Sequence, residues 1–332
     1  MGNNVYGIDL GTCNIKIYSK NDDGIMIEKN MIAIENKKNI FAYGDSAYEM
    51  YEKAPSNIQI SYPLNNGVIA DIRDMEVLIK YFITDIMKGK VAPADYYVAV
   101  PTDVTEVEKR AFYDLVKNAN LKAKNVYVVE KAVADGLGLD INVKTSNGAL
   151  VVNVGFDTTE ISILSLGGIV LSRLIKTGGR KFDEAIKAAV RKEFNLIIGS
   201  KSAEQIKMQL KDLEAKGEDA VVFGRDIVTG LPMQRQISVA MINECLVEHF
   251  STIVDQVKLI LERTPPELGA DIYRNGIYLT GGASQVAHLA EKLSKETGLK
   301  VQQMDNPVTS VAAGLAKVIK EDYYKTVAQR KE

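Results

Sequence analysis

Three glycine-rich turns, each following an apolar strand, are where this sequence can do chemistry. They are Gly11-Thr12-Cys13-Asn14, Gly155-Phe156-Asp157-Thr158-Thr159 and Gly281-Gly282-Ala283-Ser284. Backbone amides in such turns converge on one spot and bind phosphate oxygens with no side chain in the way. The first two could clamp a polyphosphate from opposite sides, and the third could let a nucleoside lie flat against the backbone. Any one of them alone is weak evidence, since glycines in strand turns are mostly structural. Neither a G-x-x-x-x-G-K loop followed by Ser or Thr nor a G-x-G-x-x-G fingerprint is present. Asp9 ends the apolar strand beside the first turn, where a carboxylate needs hydrogen bonds or a cation. It is either an Asx-turn anchor or part of a Mg²⁺ water shell. Its counterpart before the second turn is the neutral Asn153. His249 and His288 have no second ligand at metal spacing, and Cys13 and Cys245 have no adjacent base, so all four are read as structural.

Short strands alternating with amphipathic helices must position these turns, which makes the fold α/β. Val5–Asp9 is a strand, followed after the turn by returning strands at 15–19 and 25–28. Residues 74–88 carry a 3.6-period stripe of Met75, Leu78, Ile79, Phe82, Ile83 and Ile86. Thr105 and Glu108 form a capping-box signature before the helix 105–118. The strand–turn–strand–strand order of residues 5–28 recurs at 149–175, with Asp9 and Asn153 in equivalent places. This is the pattern of an internal duplication, with two lobes and two glycine turns facing across a cleft. Residues 180–243 form an insertion in the second lobe, with helices at 183–195 and 202–215. A long helix, 238–263, is stopped by Pro265 and Pro266; helices at 285–296 and 307–320 follow, and the polar tail from Glu321 is expected to fray.

The chain has 332 residues, long enough for two or three units around a sizeable core. Lys and Arg number 41 against 43 Asp and Glu, so no global basic field recruits nucleic acid. Two cysteines exclude a disulfide framework and fit a reducing cytoplasm. No run of about 20 apolar residues is present, and Met1-Gly2 lacks the Ser or Thr of a myristoylation signal.

These residues resemble the MreB family of bacterial actins. The similarity runs over nearly the whole chain and rests on the first turn with its strand (Gly7 to Asn14) and on residues 66–71, 165–170, 226–232, 263–268 and 279–282. The resemblance implies an actin-like fold of two ribonuclease H-like lobes, in four subdomains, around an ATP–Mg²⁺ cleft. Subdomain IA would take 1–31 and 75–142, with the helix of 312–332 returning to it. IB would take 32–74, IIA 143–180 and 244–311, and IIB 181–243. Gly11, Thr12, Cys13 and Asn14 would form the first phosphate loop, and Gly155, Phe156, Asp157 and Thr158 the second. Glu204 and Lys207 would meet the ribose and adenine, Gly281, Gly282, Ala283 and Ser284 the adenosine, and Asp9 the Mg²⁺ side. ATP or ADP and Mg²⁺ are the implied cofactors, and self-assembly into paired protofilaments is the implied partnership.

The sequence departs from the family at the cleft. Where the family's second loop reads Asp-x-Gly-Gly-Gly-Thr-Thr, residues 153–159 contain Asn153, Phe156 and Asp157. Where the family has Glu-Glu-Pro, with the second Glu orienting the attacking water, this chain has Glu130-Lys131-Ala132. Arg180-Lys181 replaces an acidic pair, so three basic residues are expected inside the cleft. Loss of one acid–base group costs roughly 10²–10⁴ in rate, so no catalytic residue is assigned. The expected function is a cytoskeletal filament protein for cell shape that retains or weakens nucleotide binding and hydrolyses slowly or not at all. The alternatives are an active ATPase using Asp157 or Glu130, and a non-polymerising regulator that co-assembles with another MreB paralogue. Location in the cytoplasm, with weak contact at the inner membrane face through Lys88, Lys90, Val91 and Ala92, completes the expectation. A first strand at Val5 leaves no room for an N-terminal amphipathic helix.

Overall fold

The apolar run at Val5–Leu10 lies at the centre of a sheet, and every residue of it is buried. The computed structural model describes residues 4–330; the lipidation reading at Met1-Gly2 and the end of the tail lie outside the described residues. β1 (Asn4–Leu10) turns back antiparallel into β2 (Asn14–Ser19), which pairs with β3 (Gly24–Lys29). A small three-stranded sheet follows, made of β4 (Ile32–Glu35), β5 (Asn39–Tyr43) and β6 (Ile58–Ser61), with α1 (Gly44–Met50) between the last two. After a short hairpin, β7 (Leu64–Asn65) and β8 (Val68–Ile69), the chain returns to the first sheet. It does so through α2 (Ile72–Ile86), β9 (Ala94–Val100), α3 (Glu106–Asn118), β10 (Ala123–Glu130) and α4 (Lys131–Gly138). β9 and β10 run parallel to β1, as crossover helices require. α2 buries Met75, Leu78, Ile79, Phe82 and Ile83 and is capped by Asp71, which accepts the Asp74 amide. The capping box of Thr105 and Glu108 is formed at the start of α3.

The second half repeats this plan. β11 (Ala149–Val154), β12 (Thr159–Ser165) and β13 (Gly168–Ile175) form the antiparallel unit, and β17 (Ile277–Thr280) and β18 (Val301–Gln303) add to it in parallel. Between them stand α5 (Gly179–Phe194), β14 (Leu196–Ile197), α6 (Ser200–Lys216), β15 (Ala220–Asp226) and β16 (Pro232–Ile237). β14, β15 and β16 make a second small sheet, and α7 (Val239–Glu262) and α8 (Pro266–Asn275) lead back. α9 (Leu289–Thr297) precedes β18, and α10 (Ser310–Lys320) and β19 (Gln329–Arg330) complete the chain. The duplicated order therefore extends to register: Asp9 faces Lys16 across β1 and β2, and Asn153 faces Glu160 across β11 and β12.

Each lobe has its own apolar core, and a third cluster joins them around α4 and α10. There the helices cross with backbone against backbone. A Cβ on Gly138 would stand 1.8 Å from the Ser310 carbonyl oxygen, and one on Gly314 would stand 1.7 Å from that of Ala134.

Four elements differ from the sequence expectation. The pair Pro265-Pro266 ends α7 but also starts α8, because Pro at a first helical turn loses no hydrogen bond. The expected helix 285–296 is split into a short 3₁₀ turn, Gly282–Gln285, and α9, with His288 between them at φ +68°. α10 starts at Ser310 rather than Pro307, whose carbonyl instead accepts from the Gly281 amide and the Thr280 hydroxyl. The tail does not fray over its described part: a 3₁₀ turn, Asp322–Val327, packs Tyr324 and Val327 on the joining cluster, and β19 pairs with β10.

Candidate functional site

The two hairpin turns and the Gly281 turn meet around a cavity of 490 Å³ between the lobes. That is the size of a small-molecule site. Gly11, Thr12, Cys13 and Asn14 form one wall; Gly155, Phe156, Asp157 and Thr158 form another; Gly281, Gly282 and Ala283 form a third. Ser284 is not a wall residue: it is buried and its hydroxyl donates to the Gly281 carbonyl at 2.7 Å. Gly281 holds φ +88°, and a Cβ there would come within 2.4 Å of Asn153 Oδ1 and of the Val154 carbonyl oxygen, so only glycine fits. The first turn is fixed from outside, with Asn30 Nδ2 donating to the Gly11 carbonyl at 3.0 Å and its amide donating to the Cys13 carbonyl. Lys29 donates to Cys13 Sγ at 3.4 Å, and burial pushes that thiol up, away from a nucleophile's range.

Glu204 and Lys207 both face the cavity from α6. Lys207 is buried and pairs with Asp183 at 2.7 Å, while also donating to the Gly179 carbonyl at 3.2 Å. Burial pushes the Asp183 carboxyl up to about 6, against the pull of Lys207. Glu204 accepts from the Tyr48 hydroxyl at 2.8 Å, which joins α1 and α6 over the cavity. A second bridge lies beside it, where Glu52 accepts from the amide and the hydroxyl of Ser200, both at 2.7 Å, and so caps α6 from the opposite lobe.

The side chains that replace glycine in the second turn line the cavity and also reach across to the other lobe. Asp157 accepts from the Asn66 amide at 2.9 Å, pairs with Arg180 at 2.8 Å and hydrogen-bonds with Thr12 of the first turn. Phe156 stacks at a tilt on Tyr62, with the Arg180 guanidinium over both rings. Together they form a clasp between the lobes. Of the three basic residues expected inside the cleft, only Lys131 lines the cavity. Arg180 is in the clasp, and Lys181 pairs with Glu184 on the exposed side of its own helix. Glu130 also lies outside the cavity and pairs with Lys109 at 3.1 Å.

The cavity floor carries a charge cluster. Asp9 is 2% exposed and is held by Lys16 at 2.9 Å. Burial alone would raise its carboxyl, but Lys16 and Lys131 outweigh that and hold it below the usual range. Asp135, deeper on α4, accepts from Asn153 Nδ2 and from the Ser310 hydroxyl. Glu160 is buried, accepts from the Thr102 amide at 3.3 Å and is pushed up by burial. The Lys131 ammonium stands among Asp9, Glu160 and Asp135; burial works against its charge, but these carboxylates keep it protonated. A Mg²⁺ site needs carboxylate faces free for the ion or its waters. Here Asp9 Oδ2 is taken by Lys16, both Asp135 oxygens have donors, the position across the cavity is an amide, and the Lys131 ammonium stands among the acids. Among the described residues no group of three or more His, Cys, Asp or Glu is arranged to hold a metal. An ammonium fixed among these acids occupies the electrostatic place of a divalent cation, so the floor is a poor fit for one.

Lys16, Asp135, Glu160, Asp183 and the Arg180–Asp157 pairing were missed in the sequence. Two of them had a signal. Hairpin register places Lys16 opposite Asp9, and the duplication then places Glu160 opposite Asn153.

The MreB/Mbl protein family model matches residues 3–327. The cell shape-determining protein Mbl of Bacillus subtilis (strain 168) is 35% identical over 312 residues, covering 93% of this chain and 93% of Mbl. MreB5 of Spiroplasma citri bound to ADP superposes with a TM-score of 0.88 at 33% identity, over 98% of each chain, and its AMPPNP-bound form with 0.89 at 32%, also over 98% of each. The MamK double helical filament shares the fold at a TM-score of 0.78 and 21% identity, over 96% of this chain and 99% of that one.

Proposed function

The chain belongs to the MreB/Mbl family, and from that premise we propose that it is an actin-like, nucleotide-binding filament protein that hydrolyses ATP slowly or not at all. One observation carries this reading: the cavity floor presents an ammonium, Lys131, where a water-orienting carboxylate would serve hydrolysis. The turns at Gly11, Gly155 and Gly281 supply backbone for phosphates and nucleoside, and Glu204 and Lys207 stand beside them. The ADP- and AMPPNP-bound MreB5 structures support nucleotide as the occupant. Lys131 cannot accept a proton from water while the three carboxylates hold it charged. Neither Asp157 nor Glu130 replaces that base, since one is turned to Arg180 and Asn66 and the other lies outside the cavity. A second reading, residual turnover, is favoured by Glu160, a buried carboxyl on the cavity wall.

Self-association is the proposed partnership, with other MreB paralogues as co-assembly partners and the cytoplasm as the site. No helix among the described residues is long and apolar enough to cross a membrane. In the loop 88–93 the lysines are exposed while Val91 and Ala92 are half-buried, so membrane contact there would be electrostatic rather than apolar. Phosphate release and sedimentation of the purified chain test the proposal together. Pelleting with ATP and release slowed by roughly 10²–10⁴ relative to B. subtilis Mbl assayed in parallel are expected. Release at the Mbl rate, abolished by Glu160→Gln, overturns the slow-hydrolysis reading in favour of the second; failure to pellet alone, but pelleting with a paralogue, favours a co-assembling regulator.

A further inference from the structure

We infer that this cavity takes its nucleotide without a divalent cation, with the Lys131 ammonium supplying the counter-charge to the phosphates. The inference rests on the nucleotide reading above and concerns the same cavity. Its starting point is that the acids of the floor are already committed. Asp9 is spent on Lys16 at 2.9 Å, Asp135 accepts from Asn153 and Ser310, and Glu160 accepts from Thr102. Asp157, within the second turn, is aimed at Arg180, Asn66 and Thr12. Each of these acids already holds a partner within the protein, and Asp9, Glu160 and Asp135 also surround the Lys131 ammonium, which a hydrated divalent ion would have to displace.

Lys131 itself is placed to do the ion's work. It begins α4 directly after β10, so its side chain rises into the cavity between the two hairpin turns. Three carboxylates surround it, and among the described residues it donates no hydrogen bond to any of them. An ammonium carries three donors. Those of Lys131 remain for an anion that enters the cavity, while the acids behind it keep it charged. A second cation brought beside it would meet an ammonium in a low-dielectric site, where like charges repel far more strongly than in water. An amide at Asn153 and an ammonium at Lys131 thus face the space that phosphates with their own counter-ion would need, and one fixed positive charge is present before any nucleotide arrives. Fixed charge needs no rearrangement on binding, whereas a Mg²⁺ ion must be captured and partly dehydrated.

Calorimetric titration of the full chain with ADP, once in EDTA and once in millimolar Mg²⁺, tests this. The expected dissociation constants differ by less than about threefold between the two buffers. Lys131→Met, checked for cooperative unfolding, should weaken binding in EDTA by about tenfold or more, with Mg²⁺ recovering part of the loss. Lys131→Arg should stay near the parent in both buffers. A parent chain that loses about tenfold or more in EDTA overturns the inference and leaves the nucleotide reading standing. No heat of ADP binding in either buffer overturns the nucleotide reading, and the inference with it. Binding by Lys131→Met that is as strong and as indifferent to Mg²⁺ as the parent removes Lys131 from its assigned role.

Discussion

The hairpin of β1 and β2 and the hairpin of β11 and β12 are the same structural unit put to different use. Both run antiparallel, both close on a glycine turn, and both accept a parallel strand on the same side. At the equivalent register position the first holds an acid against a base, Asp9 and Lys16, and the second an amide against an acid, Asn153 and Glu160. The first turn keeps small side chains toward the cavity and is fixed from behind by Asn30. The second sends Phe156 and Asp157 across the gap, where they grip Tyr62 and Asn66 with Arg180 of their own lobe beside them. A duplicated unit can thus keep its backbone while one copy serves as a phosphate turn and the other as a fastener between lobes. The backbone geometry constrains only what the glycines do.

The sharpest way to break this equivalence is to remove the charged residue on the returning strand of each hairpin's register pair. Lys16→Met leaves a buried, unpaired Asp9 and is expected to cost roughly 3–5 kcal/mol in urea denaturation, most of it restored by adding Asp9→Asn. Glu160→Gln, its counterpart, should cost less, about 1 kcal/mol, because a glutamine can still accept from Thr102 and Lys131 keeps Asp9 and Asp135 beside it. Equal losses at the two positions would mean that the charge difference between the hairpins is energetically idle.

The next contrast is in pH. Asp9 is held below its ordinary range, so its contribution to stability is present above that range and is lost as pH falls through its native value. Asp183 in the second lobe is raised to about 6 by burial, so its contribution is full below its ordinary 3.8 and is lost as pH rises through about 6. At 1.36 kcal/mol per unit, the second effect is at most about 3 kcal/mol. Thermal melts across that window should show stability falling as pH rises toward 6, and Asp183→Asn should flatten the trend. A slope that survives the substitution assigns it to another group.

The smallest expected effect separates the turns themselves. Asp157→Ala should cost about 1–2 kcal/mol, chiefly through the Asn66 amide, since Arg180 is about a third exposed and its pairing is screened. Small-angle scattering should at the same time report a wider separation of the lobes. An unchanged radius of gyration would show that the Glu52–Ser200 and Tyr48–Glu204 bridges suffice to hold the lobes together.

Much of this was legible from the amino-acid order. Periodicity located α2, capping residues located the start of α3, and apolar runs followed by glycine located all three walls of the cavity. Partnerships across long sequence distances were not legible. Arg180 reads as a cleft cation until Asp157 and Phe156 are seen to draw it aside, and Asp135 reads as an ordinary acid in a small-residue helix until Ser310 arrives from the far end of the chain. Local rules specify where a side chain starts, whereas the tertiary fold decides what it meets. The described part of the tail failed for the same reason: its polar composition hid the few apolar residues, Tyr324 and Val327, that anchor it.

The crossing of α4 and α10 gives the molecule a fulcrum with no padding. Where Gly138 and Gly314 meet the opposing carbonyls, no side chain intervenes to be compressed or repacked, so the two helices of the joining cluster bear directly on each other. Any spreading at that bearing must be carried out to the rim, where the Glu52 and Tyr48 bridges span the mouth of the cavity. One added methyl group at either glycine is therefore a displacement applied at the short arm and delivered, enlarged, at the long one.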